Sequence, residues 1–247
     1  MKRNNPEIVA IFDIDKTLLP GFTIIDFAKF LAAQKTFTEA GSQAMDKAIL
    51  DYSNKSIDYN QFADQIVNSY ALGIGGQDLQ AVEEQAKIFW EQRFATIFPF
   101  VPGLFDLLER ISAHKIAVSG STADSLAPLI QRFAFQEAFL TRIKTDQDQF
   151  LNEVLVNAAS HSQKEKIIEE IFEALVPGTI TLGFGDSVAD LAFLRKVTHP
   201  FVVGEQDKKL VAEAEQNSWP IIRDYGQDVS EIVRGLLTGN EDEENNG

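Results

Sequence analysis

The chain has 247 residues, of which 45% are hydrophobic and 24% charged, and its formal net charge is −15. So acidic a chain is not expected to bind nucleic acid or anionic membranes, whereas a small anionic substrate is compatible if a metal or local cation reverses the field. The absence of cysteine excludes disulfides, zinc–thiolate centres and thiol catalysis. No apolar run approaches the roughly 20 residues of a membrane-spanning helix, and the first one meets acids too early for a signal peptide. We therefore expect a soluble, cytoplasmic protein.

Short apolar runs that stop at Gly, Asp or Ser predict strands at 8–13, 115–121, 179–186, 199–204 and 219–224. Amphipathic helical patterns separate the later runs, and the first of these helices is predicted to start at Pro102. The stretch 139–156 alternates around a polar centre, which is typical of a hairpin. Continuous apolar strands alternating with amphipathic helices indicate an α/β fold with a doubly wound, mainly parallel sheet.

One region interrupts this alternation. Between Thr23 and about Thr96 four segments have helical periodicity and no strand is evident. We interpret residues 22–97 as an all-helical cap inserted into an α/β core formed by 1–21 and 98–238. Because ligands bind outside the carboxyl ends of parallel strands, an insert that leaves from such an end would lie over the site as a lid. The acidic tail, 239–247, is predicted to be disordered.

The first chemically distinctive residues are Asp13 and Asp15, which end the first buried strand in the sequence VAIFDIDKTLLPGF. An isolated D-x-D sequence is equally compatible with a solvated turn, a helix cap or half of a calcium-binding loop, none of which is catalytic. At the end of a buried strand, however, two acids can bind a hard cation through oxygen. Their surroundings can also separate their pKa values, leaving one carboxylate as nucleophile and the other protonated as an acid.

Two later strand ends carry further candidates. Ser119 and Gly120 end the second strand and offer a hydroxyl and a backbone N–H to an anion, although Ser121 or Thr122 as an ordinary helix cap explains this segment equally well. Asp186 follows the third of these strands and Asp190 comes one helical turn later, where Asp186 could also be only a cap. A carboxylate at the same sheet edge as the first pair is a plausible magnesium ligand.

These motifs, taken in order, resemble a known family. Asp13-x-Asp15-x-Thr17, Ser119, Lys164 and Gly185-Asp186-Ser187-x-x-Asp190 resemble the haloacid dehalogenase superfamily, specifically its phosphatases. The helical insert and the stretch from His199 to Ile222 are similar to the phosphoserine phosphatase-like branch. The resemblance covers nearly the whole chain outside the acidic tail, and it implies a Rossmann-like core with a cap.

The resemblance also implies residue roles. Asp13 would be the nucleophile that forms an aspartyl-phosphate, and Asp15 the acid and base. Magnesium would be held by Asp13, the backbone carbonyl of Asp15 and Asp186. Ser119, Gly120 and Lys164 would bind the phosphate.

Three further positions follow from it. Asp190 would orient Lys164 or a metal-bound water, and Thr17 would steady the loop or Asp15 beside the substrate. Lys166 is a rival to Lys164, which we prefer because it matches the family's lysine at the start of this helix. The three histidines are interpreted as structural or solvated.

One departure limits the substrate prediction. Phosphoserine phosphatases place an acid shortly after the first motif, and here the matching substrate-binding position is Phe22, which cannot pair with an ammonium group. We therefore predict a phosphomonoesterase on a small phosphorylated metabolite, with phosphoserine as the runner-up. A magnesium-independent dehalogenase and a non-catalytic protein that accepts or binds phosphate stay open as less favoured alternatives. Oligomeric state and pathway are not predicted.

Overall fold

The computed structural model describes residues 8–244, with side chains described up to Thr238. Its β-strands are β1 (Ile8–Phe12), β2 (His114–Thr122), β3 (Glu137–Asp146), β4 (Gln149–Val156), β5 (Ile180–Gly185), β6 (His199–Val203) and β7 (Ile221–Ile222). They form a seven-stranded sheet in the order β4-β3-β2-β1-β5-β6-β7. The pairs β1–β5, β5–β6 and β6–β7 are parallel, and β3–β4 is the predicted antiparallel hairpin. The predicted α/β fold with a mainly parallel sheet is confirmed.

The helices within the described residues follow the predicted alternation. They are α1 (Thr23–Ala33), α2 (Glu39–Ser53), α3 (Tyr59–Ile74), α4 (Leu79–Arg93), α5 (Phe100–Arg110), α6 (Ala123–Arg132), α7 (His161–Glu173), α8 (Leu191–Leu194), α9 (Lys208–Gln216) and α10 (Val229–Glu244). Short 3-10 turns lie at Phe94–Thr96 and Val188–Asp190. No helix in the described part of the chain is both long and apolar enough to cross a membrane.

Contacts divide the chain into two compact units. Among the described residues, unit 1 comprises 8–20, Ile97–Ile116 and 174–244, and unit 2 comprises Gly21–Thr96 and Ala117–Glu173. The predicted division into a core and a cap of residues 22–97 stays a prediction. Of the predicted tail, 245–247 lie outside the described residues and the backbone of 239–244 continues α10; its disorder stays a prediction.

The core of unit 1 fixes the ends of its central strands. Phe12, Phe184 and Phe201 lie side by side on β1, β5 and β6, with stacked rings whose centroids are 4.7 and 4.6 Å apart. Phe105 from α5 packs on Phe12 at 5.0 Å. All four rings are buried, so the strands are locked in register directly before Asp13 and Gly185.

In unit 2 the four helices between Thr23 and Arg93 are present as predicted, and three of them begin at a capping side chain. Thr38, Asp58 and Asp78 accept hydrogen bonds from the first turns of α2, α3 and α4. Their apolar faces share one buried cluster with Ile143 and Phe150 from the hairpin. Periodicity and caps therefore account for this helical region.

Two predicted boundaries were wrong. The helix expected to start at Pro102 begins at Phe100, because a proline is tolerated within the first turn, where backbone N–H groups have no partner inside the helix. The helix expected from Asp186 is instead a 3-10 turn followed by the four-residue α8. The side chain of Asp190 folds back onto the backbone there, which competes with a regular helical start.

Candidate active site

The first candidate residues lie in the loop after β1. The Asp13 amide donates to the Phe184 carbonyl of β5 at 3.0 Å, which extends the parallel pairing by one residue. The chain then turns, with the Thr17 amide donating to the Ile14 carbonyl at 3.2 Å. Lys16 takes a left-handed conformation in this turn, with φ of 63°, which costs a non-glycine residue about 1–2 kcal/mol. The loop is thus a tight turn that returns Thr17 towards Asp13.

Thr17 joins this loop to the one that follows β5. Its hydroxyl Oγ1 donates to Asp13 Oδ2 at 3.2 Å and lies 3.5 Å from Asp186 Oδ1. All three side chains are buried. A single hydroxyl proton can serve only one carboxylate at a time, so Thr17 links the two acids through one shared hydroxyl.

The loop after β5 is organised by Asp190. Its Oδ2 accepts hydrogen bonds from the Asp186 amide, the Ser187 amide and the Ser187 hydroxyl, at 3.0, 3.0 and 3.1 Å. A Cβ atom on Gly185 would lie 2.5 Å from the Asp190 Cβ, so only glycine fits there without displacing the acid. The G-D-S-x-x-D spacing therefore describes a self-bonded loop that holds Asp186 in place.

Together the two loops form what we call the acid cluster: Asp13, Asp186 and Asp190. One carboxylate oxygen from each lies within 4.8 Å of the others, and all three residues are buried. Carboxylates at this spacing repel one another unless protons or a cation compensate. Around Mg²⁺, with bonds of about 2.1 Å, ligand oxygens lie about 3 Å apart when adjacent and about 4 Å when opposite. An all-oxygen set of this kind has the donor chemistry that a hard divalent ion takes, and its 4.8 Å limit is slightly wider than these distances.

The remaining predicted acid has a different place. Asp15 is buried, with 9% of its surface exposed, and pairs through its backbone with Leu19. The side chain of Asp15 is not part of the acid cluster. Asp190, which was predicted to orient Lys164 or a metal-bound water, is a member of it. The metal contact predicted for Asp15 uses its backbone carbonyl rather than its carboxyl group.

In unit 2 the candidate anion-binding residues also form a bonded loop. Ser119 is buried, and its Oγ accepts from the Ser121 amide at 3.2 Å, which leaves its own proton to be donated. Ser121 Oγ in turn accepts from the Ile24 amide at 3.0 Å. Ser121 therefore caps α1, whose N-cap residue Phe22 has no side chain able to do so.

Gly120 is tied to the segment before α7. A Cβ atom there would meet the Ala159 Cβ at 2.8 Å. Thr141 Oγ1 donates to the Gly120 carbonyl at 2.8 Å and accepts from the Ala158 amide at 3.2 Å. One threonine thus couples β2 to the segment that leads into α7.

Lys164 lies in the first turn of α7 and is only 6% exposed. The side chain of Lys166 is 67% exposed, with its Nζ 4.0 Å from Glu170 Oε1. A lysine is rarely buried without a specific role, so burial favours Lys164 over its rival.

Sequence reasoning considered Ser121 as a cap of the helix that follows it, but missed that it caps α1 and that Asp190 is a member of the acid cluster. The signal for Ser121 was the phenylalanine at the start of α1, where a helix ordinarily has Ser, Thr, Asp or Asn. The signal for Asp190 was its spacing of four residues from Asp186, which allows a side chain to reach back to the preceding turn.

Comparisons with solved structures agree with this fold. A crystal structure of a protein of unknown function from Bordetella pertussis Tohama I has a TM-score of 0.68 and 17% identity, covering 88% of this chain and 98% of that one. A phospho-aspartyl intermediate analogue of phosphoserine phosphatase has a TM-score of 0.59 and 16% identity, covering 94% and 99%. Cytosolic 5'-nucleotidase IIIB bound to cytidine has a TM-score of 0.68 and 11% identity, covering 100% and 90%. At these identities the likeness establishes the fold.

The comparisons by sequence concern the family rather than the fold. None of the curated protein sequences compared with this chain matches it. Residues 10–195, about three quarters of the chain, match the haloacid dehalogenase-like hydrolases, and this span includes the acid cluster, Asp15, Ser119 and Lys164. The chain therefore belongs to the haloacid dehalogenase-like hydrolase family.

Proposed function

We propose that this protein is a magnesium-dependent phosphatase that hydrolyses a small phosphomonoester through an aspartyl-phosphate. The observation that carries the proposal is the acid cluster, in which three buried carboxylates from two adjacent strand ends lie within 4.8 Å of one another. The stability of the fold does not require that concentration of negative charge. A site that must bring an anionic nucleophile to an anionic phosphate, with a cation between them, does require it.

The proposed reaction has two balanced steps. In the first, an Asp13 carboxylate oxygen attacks phosphorus, the bond from phosphorus to the ester oxygen breaks, and Asp15 gives its proton to the leaving alkoxide. In the second, the Asp15 carboxylate takes a proton from water, whose oxygen attacks phosphorus and releases Asp13 and inorganic phosphate. Asp15 thus ends each cycle protonated again.

Residues of unit 2 are proposed to serve the phosphate. The Ser119 hydroxyl and nearby backbone N–H groups, including that of Gly120, would donate to its equatorial oxygens, and Lys164 would balance the charge that develops on them. Asp13, Asp186 and the Asp15 backbone carbonyl would hold the magnesium ion, with Asp190 fixing the loop of Asp186. When bound, the ion supplies positive charge that allows nucleophile and phosphate to approach.

The test is hydrolysis of p-nitrophenyl phosphate with and without Mg²⁺. We expect activity that EDTA removes, at least about 1,000-fold loss in Asp13→Asn, and a near-complete loss in Asp15→Asn. Lys164→Met should be strongly impaired, while Lys166→Met, which removes an exposed lysine of the same helix, should stay within about twofold. Wild-type rates in Asp13→Asn would refute the proposal, and dehalogenation that survives EDTA would favour the dehalogenase alternative.

Phosphoserine is the second candidate substrate, because phosphoserine phosphatases share the fold. Phe22 weighs against it, since no carboxylate is present there to pair with the substrate ammonium group. Phosphoserine hydrolysis that exceeds that of all other small phosphate esters in a metabolite panel would reverse this ranking. The cytoplasmic location, and the absence of nucleic acid or membrane partners, stay predictions from composition.

A further inference from the structure

Phe22 occupies a position that helix formation does not explain. It is the N-cap residue of α1, where a short polar side chain would accept a hydrogen bond from the first turn. That bond comes instead from Ser121, whose Oγ accepts from the Ile24 amide. Ser121 is also bonded to Ser119 through its own amide. Two hydrogen bonds therefore hold the start of α1, and with it Phe22, beside the loop proposed to bind phosphate.

The half-buried Phe22 ring begins a chain of aromatic contacts in unit 2. It packs edge-on against Phe62 at 6.0 Å, and Phe62 stacks with Tyr52 at 4.5 Å and contacts Tyr59 at 6.3 Å. Phe62 is buried, but Tyr52 and Tyr59 are 39% and 41% exposed. We call these four residues the aromatic strip. It extends from the residue beside the Ser119 loop to the surface.

The nearest acid on the same helix is already engaged. Asp26, one turn after Phe22, forms an ion pair with Arg93 at 2.7 Å, and both side chains are at least partly shielded from solvent. Asp26 therefore does not replace the missing carboxylate at position 22. The residue at the start of α1, which the Ser121 bond holds beside the proposed phosphate loop, therefore carries an aromatic ring rather than a charge.

We propose that the aromatic strip binds a planar, apolar group on the alcohol of the substrate, and that Phe22 selects for it. The inference rests on the proposed function, because it concerns the leaving group of the same reaction. Aromatic rings attract one another in edge-on and offset geometries beyond what their buried area supplies. Such an alcohol would gain contacts here that serine, with its ammonium and carboxylate, would not.

The experiment compares esters that differ only in the ring. The three substrates are 2-phenylethyl, 2-cyclohexylethyl and ethyl phosphate, which all release a primary alkoxide. We expect kcat/KM to be at least about tenfold higher for the phenyl ester than for ethyl phosphate, with a smaller gain for the cyclohexyl ester. Phe22→Leu, which keeps apolar bulk but removes the ring, should lower the phenyl-to-ethyl ratio of kcat/KM about five- to tenfold, mainly by raising KM for the phenyl ester.

The matched control is Phe30→Leu, the same substitution at another half-buried phenylalanine of α1, whose ring packs on Phe27 and Phe89. This variant should keep the wild-type ratio. An unchanged ratio in Phe22→Leu, or equal rates on all three esters in the wild type, would overturn the inference. In that case Asp13-dependent hydrolysis of the esters would still support the proposed function. If no ester is hydrolysed in an Asp13-dependent way, both proposals fail.

Discussion

The two units bury acidic side chains in opposite ways. In unit 2 a single carboxylate, Asp124 at the start of α6, accepts a hydrogen bond from the phenol of Tyr70 on α3, and both residues are buried. In unit 1 three carboxylates share the acid cluster, where Asp13 and Asp186 lie around the one hydroxyl of Thr17. One arrangement pairs an acid with a donor, whereas the other accumulates acids.

The difference shows in what each arrangement still requires. Burial raises the pKa of Asp124, and the Tyr70 hydrogen bond lowers it again in part. The pKa of Tyr70 is raised well above its usual range by burial and by the charge of Asp124. This pair is complete within the protein. The acid cluster, by contrast, places three carboxylates within 4.8 Å of one another, and the proposed function assigns a magnesium ion to that concentration of charge.

The strongest test of this contrast between the two units is to remove one acid from the acid cluster. Asp186→Asn should lower Mg²⁺-dependent hydrolysis about 100-fold or more. In EDTA its free energy of unfolding should be equal to or above wild type, because one repulsive charge is gone. Added Mg²⁺ should stabilise the wild type, by about 1.4 kcal/mol at ten times the dissociation constant, and leave the variant unchanged. Urea unfolding with and without Mg²⁺ measures both.

Asp106→Asn is the control for this experiment, because Asp106 is an exposed acid of α5 in the same unit. It should match wild type in activity and in its response to Mg²⁺. A loss of stability in metal-free Asp186→Asn would mean that the acid serves the fold, and would remove the contrast with Asp124.

A second change acts on the same loop through its backbone. Gly185→Ala places a Cβ 2.5 Å from that of Asp190, so Asp190 must move and with it the loop of Asp186. We expect a destabilisation of about 1–3 kcal/mol and at least about tenfold lower activity. Gly103→Ala, in α5 with open space around the added Cβ, should instead stabilise by about 0.5–1 kcal/mol. If Gly185→Ala and Gly103→Ala changed the free energy of unfolding and the activity to a similar extent, the contact between the added Cβ and Asp190 would not be the cause of the loss.

The sequence predicted what depends on local pattern. Apolar runs located β1 and β5 within one or two residues, and strand parallelism then placed Asp13 and Asp186 at one edge of the sheet. Helical periodicity identified the region of α1 to α4. The order of the motifs along the chain indicated the family, because no single motif is specific whereas the ordered set is.

Contacts between residues far apart in the chain were beyond that reasoning. Tyr70 and Asp124 are separated by 54 positions, and neither lies in a motif. β7 begins only at Ile221, because Pro220 directly before it has no N–H to donate to a neighbouring strand. The aromatic strip likewise joins α2, α3 and the start of α1, which no periodicity relates to one another.

The Asp124–Tyr70 pair can be tested by removing only the phenol oxygen. Tyr70→Phe leaves a buried carboxylate without this donor and should cost about 1–3 kcal/mol of unfolding free energy at pH 7.5. Because burial raises the pKa of Asp124, its contribution to stability is present below the unfolded value near 4 and is lost as pH rises through the folded value. The hydrogen bond offsets this loss by favouring the charged form, so the variant should lose less at pH 4.5.

Trp90 provides the signal for that measurement, because its buried indole donates to the Ser125 carbonyl one residue after Asp124. Tyr52→Phe, at an exposed tyrosine of the same unit, should change stability by less than about 0.5 kcal/mol. Neither variant should respond to Mg²⁺ differently from wild type. An equal loss in Tyr70→Phe at both pH values would show that the phenol acts through packing rather than through the charge of Asp124.

His199 offers a third way of burying an ionisable group, and the smallest expected effect. It begins β6, its buried Nε2 has no hydrogen-bond partner among the described residues, and burial lowers its pKa. The unfolded chain therefore binds this proton more readily, so the contribution to stability is full above about pH 6.5 and is lost as pH falls through the folded value. His199→Asn should lose less stability than wild type between pH 7.5 and 5.5, whereas His161→Asn, at an exposed position of α7, should follow wild type. If the free energy of unfolding fell equally with pH in wild type and in His199→Asn, water would reach this imidazole. His199 would then not be an example of burial without a partner, and the comparison would rest on the Asp124–Tyr70 pair and the acid cluster.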